Sequence, residues 1–101
     1  MRVLVFFDLP VKTAHDRRNY RSFHRYLVSQ GFFMLQKSIY SKLALNMSVA
    51  GSIMSDVRRH KPPAGFVILF VLTEKQYSRM EIVCGKLKTD VLNSCERVVV
   101  I

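Results

Sequence analysis

The stretch LVFFDLP, residues 4–10, is an apolar run that ends in one acid and then a proline. Alternation of side chains along residues 2–7 predicts a strand with two apolar faces. One face carries Val3, Val5 and Phe7, and the other carries Leu4 and Phe6. Asp8 continues the second face at the carboxyl end of the strand, where open α/β sheets often place their functional groups. The stretch therefore predicts a strand that presents a single carboxylate at the end of a sheet.

A second apolar run, Phe66 to Leu72, predicts the central strand of the same sheet. Its two faces carry Phe66, Ile68, Phe70 and Leu72 on one side and Val67, Leu69 and Val71 on the other. Two amphipathic helices can cover only one face of such a sheet, and the other face would expose a larger apolar patch than a soluble monomer usually tolerates. A homodimer packed sheet against sheet solves this problem. The alternative is that loops cover the second face.

Two helices are predicted from local start and stop signals. Thr13 caps the first helix, which extends to about Gln30 and stops at Gly31. Asn46 begins the second helix, and the prolines at 62–63 end it. The apolar positions of the second helix recur at helical spacing at Val49, Ile53 and Val57.

The remaining segments predict strands. Residues 32–43 are rich in aromatic and branched side chains, and they contain no Gly, Pro, Asn or Asp that would form a hairpin turn. We therefore expect one long strand, bent or bulged near Ser38 to Ser41. Shorter strands are expected at Met80 to Cys84 and at Arg97 to Ile101. Two helices with four or five strands make an α/β sandwich with one sheet.

The formal net charge of +9 is unevenly distributed. Residues 1–61 hold eleven Lys and Arg against three Asp and Glu, whereas residues 62–101 hold five against four. A basic first half indicates a nucleic-acid partner, because neutralised phosphates release condensed counterions. An acidic membrane surface or an acidic protein is the alternative. No signal peptide is visible and the longest apolar run is too short to span a bilayer, so we expect a cytoplasmic protein with no membrane partner.

Several other chemistries find no support in the sequence. The two cysteines, Cys84 and Cys95, show no metal-ligand spacing and are expected to be reduced thiols. The spacing of the three histidines is not that of metal ligands either; these are His15, His24 and His60. We find no nucleophile elbow, Gly-rich phosphate loop or kinase signature.

The first helix supplies most of the cationic groups. At about 100° per residue its core stripe and its cationic stripe lie on opposite sides. The core stripe is Tyr20, Phe23 and Leu27, and the cationic stripe is Arg18, Arg21 and Arg25. Three arginines without an acid one turn away repel one another, so we expect a nucleic-acid backbone to contact them, the alternative being a solvated helix face.

Two further groups of cationic residues give weaker evidence for nucleic-acid binding. Arg17, in the first turn of the same helix, lies near the loop after Asp8 and is expected to approach a phosphate there. Arg58, Arg59 and Lys61 lie at the end of the second helix, where offsetting the helix dipole explains them as well as nucleic-acid binding does.

Asp8 itself has two interpretations. If the second sheet face is a dimer interface, two copies of Asp8 approach across the two-fold axis. They can then bind Mg²⁺, which takes few protein oxygens and completes its shell with water and substrate phosphates. Alternatively, the carboxylate caps the turn at Pro10. Composition alone favours the cap.

Four segments taken together resemble a known family. They are VLVFFDLP, RRNYRSFHRYL, GFFMLQKSIYSKL and GFVILFVLTEKQYSRMEIV. They occur in the right order at the right spacing and cover nearly the whole chain. In these segments the chain is similar to the small CRISPR-associated core protein of the spacer-acquisition complex, in its type II-A form.

The resemblance implies a ferredoxin-like βαββαβ sandwich, with one sheet, two helices on one face and a short C-terminal strand, that dimerises through its sheets. It implies that this homodimer grips double-stranded protospacer DNA between two dimers of the CRISPR integrase subunit. It also implies a metal-dependent endonuclease that cleaves RNA or DNA, for which we expect Mg²⁺, with Asp8 as the catalytic residue and metal ligand.

Three functions follow from these observations. The first is an architectural DNA-binding subunit of spacer acquisition that holds phosphates through Arg17, Arg18, Arg21 and Arg25. The second is a Mg²⁺-dependent phosphodiesterase at paired Asp8 carboxylates, and it is compatible with the first. The third is a basic nucleic-acid-binding or toxin-type RNA-cleaving module unrelated to spacer acquisition.

Overall fold

The computed structural model describes residues 1–87, which form an antiparallel four-stranded sheet with two long helices packed on one face. The elements are β1 Arg2–Asp8, α1 Ala14–Ser29, β2 Phe33–Gln36, β3 Ile39–Leu43, α2 Met47–Arg59, β4 Phe66–Leu72 and α3 Glu74–Ser78. The strand order β2-β3-β1-β4 and the βαββαβ succession confirm the predicted ferredoxin-like α/β sandwich. No helix among residues 1–87 is both long and apolar enough to cross a membrane.

Both long helices begin at the predicted capping residues. The hydroxyl of Thr13 accepts a hydrogen bond from the Asp16 N–H at 3.0 Å, and the Asp16 carboxylate accepts one from the Thr13 N–H at 3.2 Å. The Asn46 side chain accepts a hydrogen bond from the Val49 N–H at 2.9 Å. Just beyond α1, Gly31 adopts a φ of +87°, which favours glycine. The predicted starts of both helices and the stop of α1 are thus confirmed.

The buried face of α2 differs in part from the predicted one. Val57 is buried and Ile53 packs against the core, but Val49 is exposed and Ala50 is fully buried. Neighbouring positions on a helix are separated by about 100°, so the apolar stripe is rotated toward Ala50.

Residues 32–43 form a hairpin, and the prediction of one long bent strand was wrong. β2 and β3 pair in an antiparallel manner across a turn at Lys37 and Ser38. The register shifts between Met34 and Gln36, which leaves one extra residue on β2. Such a bulge increases the local twist, and the turn closes without a positive φ. The Ser38 carbonyl also accepts a hydrogen bond from the Phe7 N–H at 3.0 Å, which fixes the turn against β1.

Two further strand predictions need correction. Within residues 1–87, β4 pairs only with β1, so β4 is an edge strand and β1 is central. Residues 80–84 contain no strand. The short helix α3 comes just before this segment and begins at Thr73, where Thr73 and Gln76 form a capping box. The strand predicted at Arg97 to Ile101 lies outside the described residues, as does Cys95, whereas Cys84 is an exposed free thiol.

The two faces of the sheet are covered unequally. The inner face packs against α1 and α2 through Val3, Val5, Phe7, Phe23, Leu27, Tyr40, Ala50 and Val57. On the outer face, Leu4 is buried under Tyr77 of α3 with Met80 and Leu87 beside them. Phe66 and Ile68, farther along the same face, stay 60% and 41% exposed. Among residues 1–87, α3 and the segment after it therefore cover one end of the outer face, as the loop alternative predicted in part, and leave the other end open.

Candidate functional site

Asp8 is the last residue of β1 and lies opposite Phe66 in the register with β4. Its side chain is exposed, on the outer face that also carries Phe6 and Ile68. Within residues 1–87 its carboxylate accepts no hydrogen bond and forms no ion pair, so it does not cap the turn at Pro10 there. Among these residues, none occupies either oxygen of the carboxylate.

A glycine next to β4 lets the chain pass close to Asp8. Gly65 adopts a φ of +100°, which residues with a side chain rarely adopt. A Cβ atom at this position would lie 2.9 Å from the Asp8 carbonyl oxygen and 2.6 Å from Leu9 Cδ2. Since both distances are below van der Waals contact, a larger residue at position 65 would displace the backbone that carries Asp8.

Arg17 reaches the loop of residues 9–12 that follows Asp8. Its Nη1 donates hydrogen bonds to the carbonyl oxygens of Val11 and Lys12, both at 3.1 Å. Part of the guanidinium therefore stabilises this loop, which the sequence did not indicate. A guanidinium has five N–H donors, so others are left for a phosphate.

The cationic stripe of α1 is fully on the surface. Arg18, Arg21 and Arg25 are exposed, whereas the core side of α1 is formed by the buried Phe23 and Leu27. Among the described residues none of the three arginines forms an ion pair. Their contact with phosphates stays a prediction, and the structure leaves their charges free for it.

Lys37 is a cation at this end of the sheet that sequence analysis did not single out. It lies in the β2–β3 turn, which the Ser38–Phe7 hydrogen bond holds beside the carboxyl end of β1. The prediction of one strand over residues 32–43 placed Lys37 in the middle of a strand. A residue there is not expected at the end of a sheet, so Lys37 was not considered. Recognition of the hairpin would have revealed it.

The cations at the end of α2 are held in part by their own helix. Arg59 Nη2 donates to Asp56 Oδ1 at 3.0 Å, and Arg58 donates to Ser55 Oγ at 2.9 Å. Asp56 also accepts a hydrogen bond from the Tyr26 hydroxyl of α1, and this bond holds the pKa of Asp56 below its usual range. These contacts favour the structural role for Arg58 and Arg59 over nucleic-acid binding.

The Asp8 carboxylate is a ligand of the type that hard divalent cations prefer. Among residues 1–87, no three His, Cys, Asp or Glu side chains gather closely enough to hold a metal ion. Mg²⁺ is commonly bound through one or two carboxylates, with water and substrate phosphates in the remaining positions. Asp8 supplies one such carboxylate at the end of β1.

Comparison with known families and proteins gives consistent matches. A family model described as CRISPR associated protein Cas2 matches residues 1–80. The chain is 52% identical over 101 residues to a protein of Treponema denticola named CRISPR-associated endoribonuclease Cas2. It is 42% identical over 101 residues to a protein of the same name from Lacticaseibacillus rhamnosus. Both alignments cover 100% of each chain.

Comparison with solved structures supports the same fold. The crystal structure of Streptococcus pyogenes Cas2 matches with a TM-score of 0.60 at 17% sequence identity. The match covers 83% of this chain and 100% of that chain. At such low identity the likeness bears on the fold alone.

Proposed function

The chain belongs to the Cas2 family of CRISPR-associated proteins, and from this premise we propose that it is a spacer-acquisition subunit that also cleaves RNA or DNA at Asp8. In this role a cytoplasmic homodimer binds protospacer DNA through its backbone and bridges dimers of the CRISPR integrase subunit. One observation carries the proposal: β1 ends in an exposed carboxylate without a partner in the described residues, and the next helix along the chain carries four arginines. The names of the relatives support an endoribonuclease.

The proposed dimer uses the open end of the outer sheet face. Phe66 and Ile68 are exposed there next to Asp8, and Phe6 packs against Phe70 with ring centroids 5.0 Å apart. Covering exposed aromatic and branched side chains is favourable by about 25 cal/mol per Å² of apolar surface. A second copy of this face would bring two Asp8 carboxylates together, which one chain cannot do.

Phe66→Glu is expected to convert the dimer to a monomer, because two buried charges would face each other without a partner. Sedimentation equilibrium at micromolar concentration should give about twice 11.7 kDa for the wild type and 11.7 kDa for the variant. Phe66 is already 60% exposed, so the variant chain itself should fold. Leu45→Glu, at an 87% exposed position, is the control that should remain dimeric. A wild type that sediments as a monomer would contradict the proposed interface.

The arginines of α1 suit DNA that is bound by shape and charge. They donate from side chains to phosphates and read no bases, as expected of a subunit that accepts spacers of any sequence. The net charge of +9 supports the same partner. The bridging of integrase dimers rests on the family alone.

At the proposed nuclease site each group has a separate task. Asp8 from each chain would hold Mg²⁺, and the bound ion would supply Lewis-acid activation of the phosphodiester. Arg17 is anchored to the loop by Val11 and Lys12, and its remaining N–H groups would bind the phosphate and offset its charge.

Purified protein is expected to cleave single-stranded RNA or DNA when Mg²⁺ is present. Cleavage should stop when EDTA removes the ion. Adding Mg²⁺ back should restore the rate, since the carboxylate site is at the surface and refills from solution. Gel analysis of end-labelled strands measures both rates. Cleavage that continues in EDTA would contradict a Mg²⁺-dependent site, and integration assays with the integrase subunit test the scaffold role separately. Family membership favours spacer acquisition over the toxin-type alternative.

A further inference from the structure

A groove lies between α1 and the β2–β3 hairpin, on the opposite side of the sheet from the proposed dimer face. It has a volume of about 430 Å³ and is lined by Tyr20, Arg21, His24, Met34, Lys37 and Tyr40. We call it the hairpin groove. A smaller hollow lined by Val11, Arg17, Tyr20 and Arg21 continues it toward the loop after Asp8. Cavities of this size hold ligands as large as a nucleotide.

The charged groups of the hairpin groove are all cationic. Arg21 comes from α1 and Lys37 from the turn at the other side, and both are exposed. The groove lining contains no Asp or Glu, and in the described part of the chain neither cation forms an ion pair. Two cations that face the same space repel each other, so an anion between them would be stabilised from both sides.

His24 adds a ring N–H donor to the wall. Its Nδ1 is hydrogen-bonded to the hydroxyl of Tyr40, which is completely buried. Burial raises the pKa of Tyr40 to about 12, so the phenol keeps its proton at neutral pH. Nε2, the other ring nitrogen, has no partner among the described residues and can carry a ring hydrogen. This N–H can be donated to a phosphate oxygen.

Tyr20 provides a fixed aromatic surface. Its hydroxyl donates a hydrogen bond to the Lys37 carbonyl oxygen at 3.1 Å, and its ring packs edge to face on Phe7 with centroids 5.9 Å apart. Held at both ends, the partly exposed ring loses little freedom when a flat group stacks on it. Met34 beside it offers a polarizable apolar contact.

We propose that the hairpin groove binds one unpaired nucleotide, with its phosphate on Arg21, Lys37 and His24 and its base against Tyr20 and Met34. The base must be unpaired because the bases of a duplex are stacked on one another and do not reach a side-chain ring. The proposal deepens the proposed function, on which it rests, by assigning a single-stranded segment to this side of the subunit. The ligand is a nucleoside phosphate, either within a strand or free in solution.

The test compares two probes on the same variants. Tyr20→Leu is expected to weaken binding of a labelled single-stranded oligonucleotide by at least about tenfold, the loss typical of one stacked base. Lys37→Ala should weaken it similarly through the phosphate. Both variants should bind a blunt duplex within about twofold of the wild type. Retained duplex binding by Tyr20→Leu would exclude a folding defect, and Tyr20→Phe, which keeps the ring, should retain single-strand binding.

NMR titration separates the sources of the ligand. Adenosine monophosphate should shift the amide signals of Arg21, His24 and Lys37 in the wild type and leave them nearly unchanged in Tyr20→Leu. Shifts with the oligonucleotide but not with the mononucleotide support a strand as the source. Equal shifts with inorganic phosphate and the mononucleotide would overturn the proposal, since no base would be recognised.

Failure of the hairpin groove and failure of the proposed function give different results. Equal weakening of single-strand and duplex binding by Tyr20→Leu, or no weakening of either, overturns the hairpin groove while leaving cleavage and duplex binding in place. A wild type that neither cleaves nor binds duplex DNA, but whose amide signals still shift with the nucleotide, overturns the proposed function. It leaves the proposal for the hairpin groove in place.

Discussion

Asp8→Asn is expected to reduce Mg²⁺-dependent cleavage by more than about 100-fold, since even the loss of a group that only supports a metal ligand costs 10–100-fold. Asparagine keeps the shape of the side chain but removes the negative charge that holds the cation. Because Asp8 is exposed and has no hydrogen-bond partner among residues 1–87, the substitution should leave the free energy of unfolding nearly unchanged. Cleavage rates measured from strands at saturating Mg²⁺ give the comparison.

The matched control for this variant is Glu81→Gln, which removes one carboxylate charge at another exposed position. It should cleave at the wild-type rate, and both variants should dimerise and bind DNA like the wild type. Cleavage that persists in highly purified Asp8→Asn protein would mean that the site lies elsewhere or that the activity is a contaminant. Spacer integration that survives with cleavage lost would separate the scaffold role from the nuclease.

Replacing Arg18, Arg21 and Arg25 together with alanine is expected to weaken duplex DNA binding at least about tenfold at low salt, whatever the DNA sequence. Each phosphate contact that is lost should reduce the slope of log K against log salt by about one. The slope for the triple variant should therefore be smaller by about three. All three side chains are exposed and make no ion pair in the described residues, so the fold should not change. Fluorescence anisotropy over a series of salt concentrations measures the slope.

A second triple variant controls for the loss of charge. Lys75, Arg79 and Lys86 are also exposed, and their replacement by alanine lowers the net charge by the same amount from a different surface. This control should keep nearly the full salt slope. If both triple variants lose the same share of affinity, the net charge attracts DNA and the stripe on α1 has no special role. An unchanged slope in the α1 variant would leave that stripe a solvated helix face.

Helix boundaries were predictable because capping is local. Thr13 and Asn46 accept hydrogen bonds from N–H groups three residues ahead, and such a bond depends on nothing outside the first turn. The same logic could have found α3, since Thr73 and Gln76 form a capping box of the same kind. The strand predicted at Met80 to Cys84 instead followed a short apolar run, and such runs do not distinguish strand from loop.

Pairing was less predictable than the elements themselves. The β2–β3 hairpin closes through Lys37 and Ser38 without any of the usual turn residues, because a shift of register between Met34 and Gln36 supplies the twist. Likewise, the apolar sequence of β4 suggested a central strand, but within residues 1–87 it lies at the edge, which follows from the pairing of strands with β1.

The sequence by itself determined the fold class, the cationic helix and the face on which Asp8 stands, since alternation and helical periodicity are properties of the chain within a few residues. Only the tertiary structure decided what surrounds these groups. It holds Lys37 beside the end of β1 through the Ser38–Phe7 hydrogen bond, and it joins His24 to Tyr40 across the core. It also leaves Phe66 exposed while burying Leu4 on the same face. These contacts join residues far apart in the chain, and no local pattern specifies which distant partner a side chain meets.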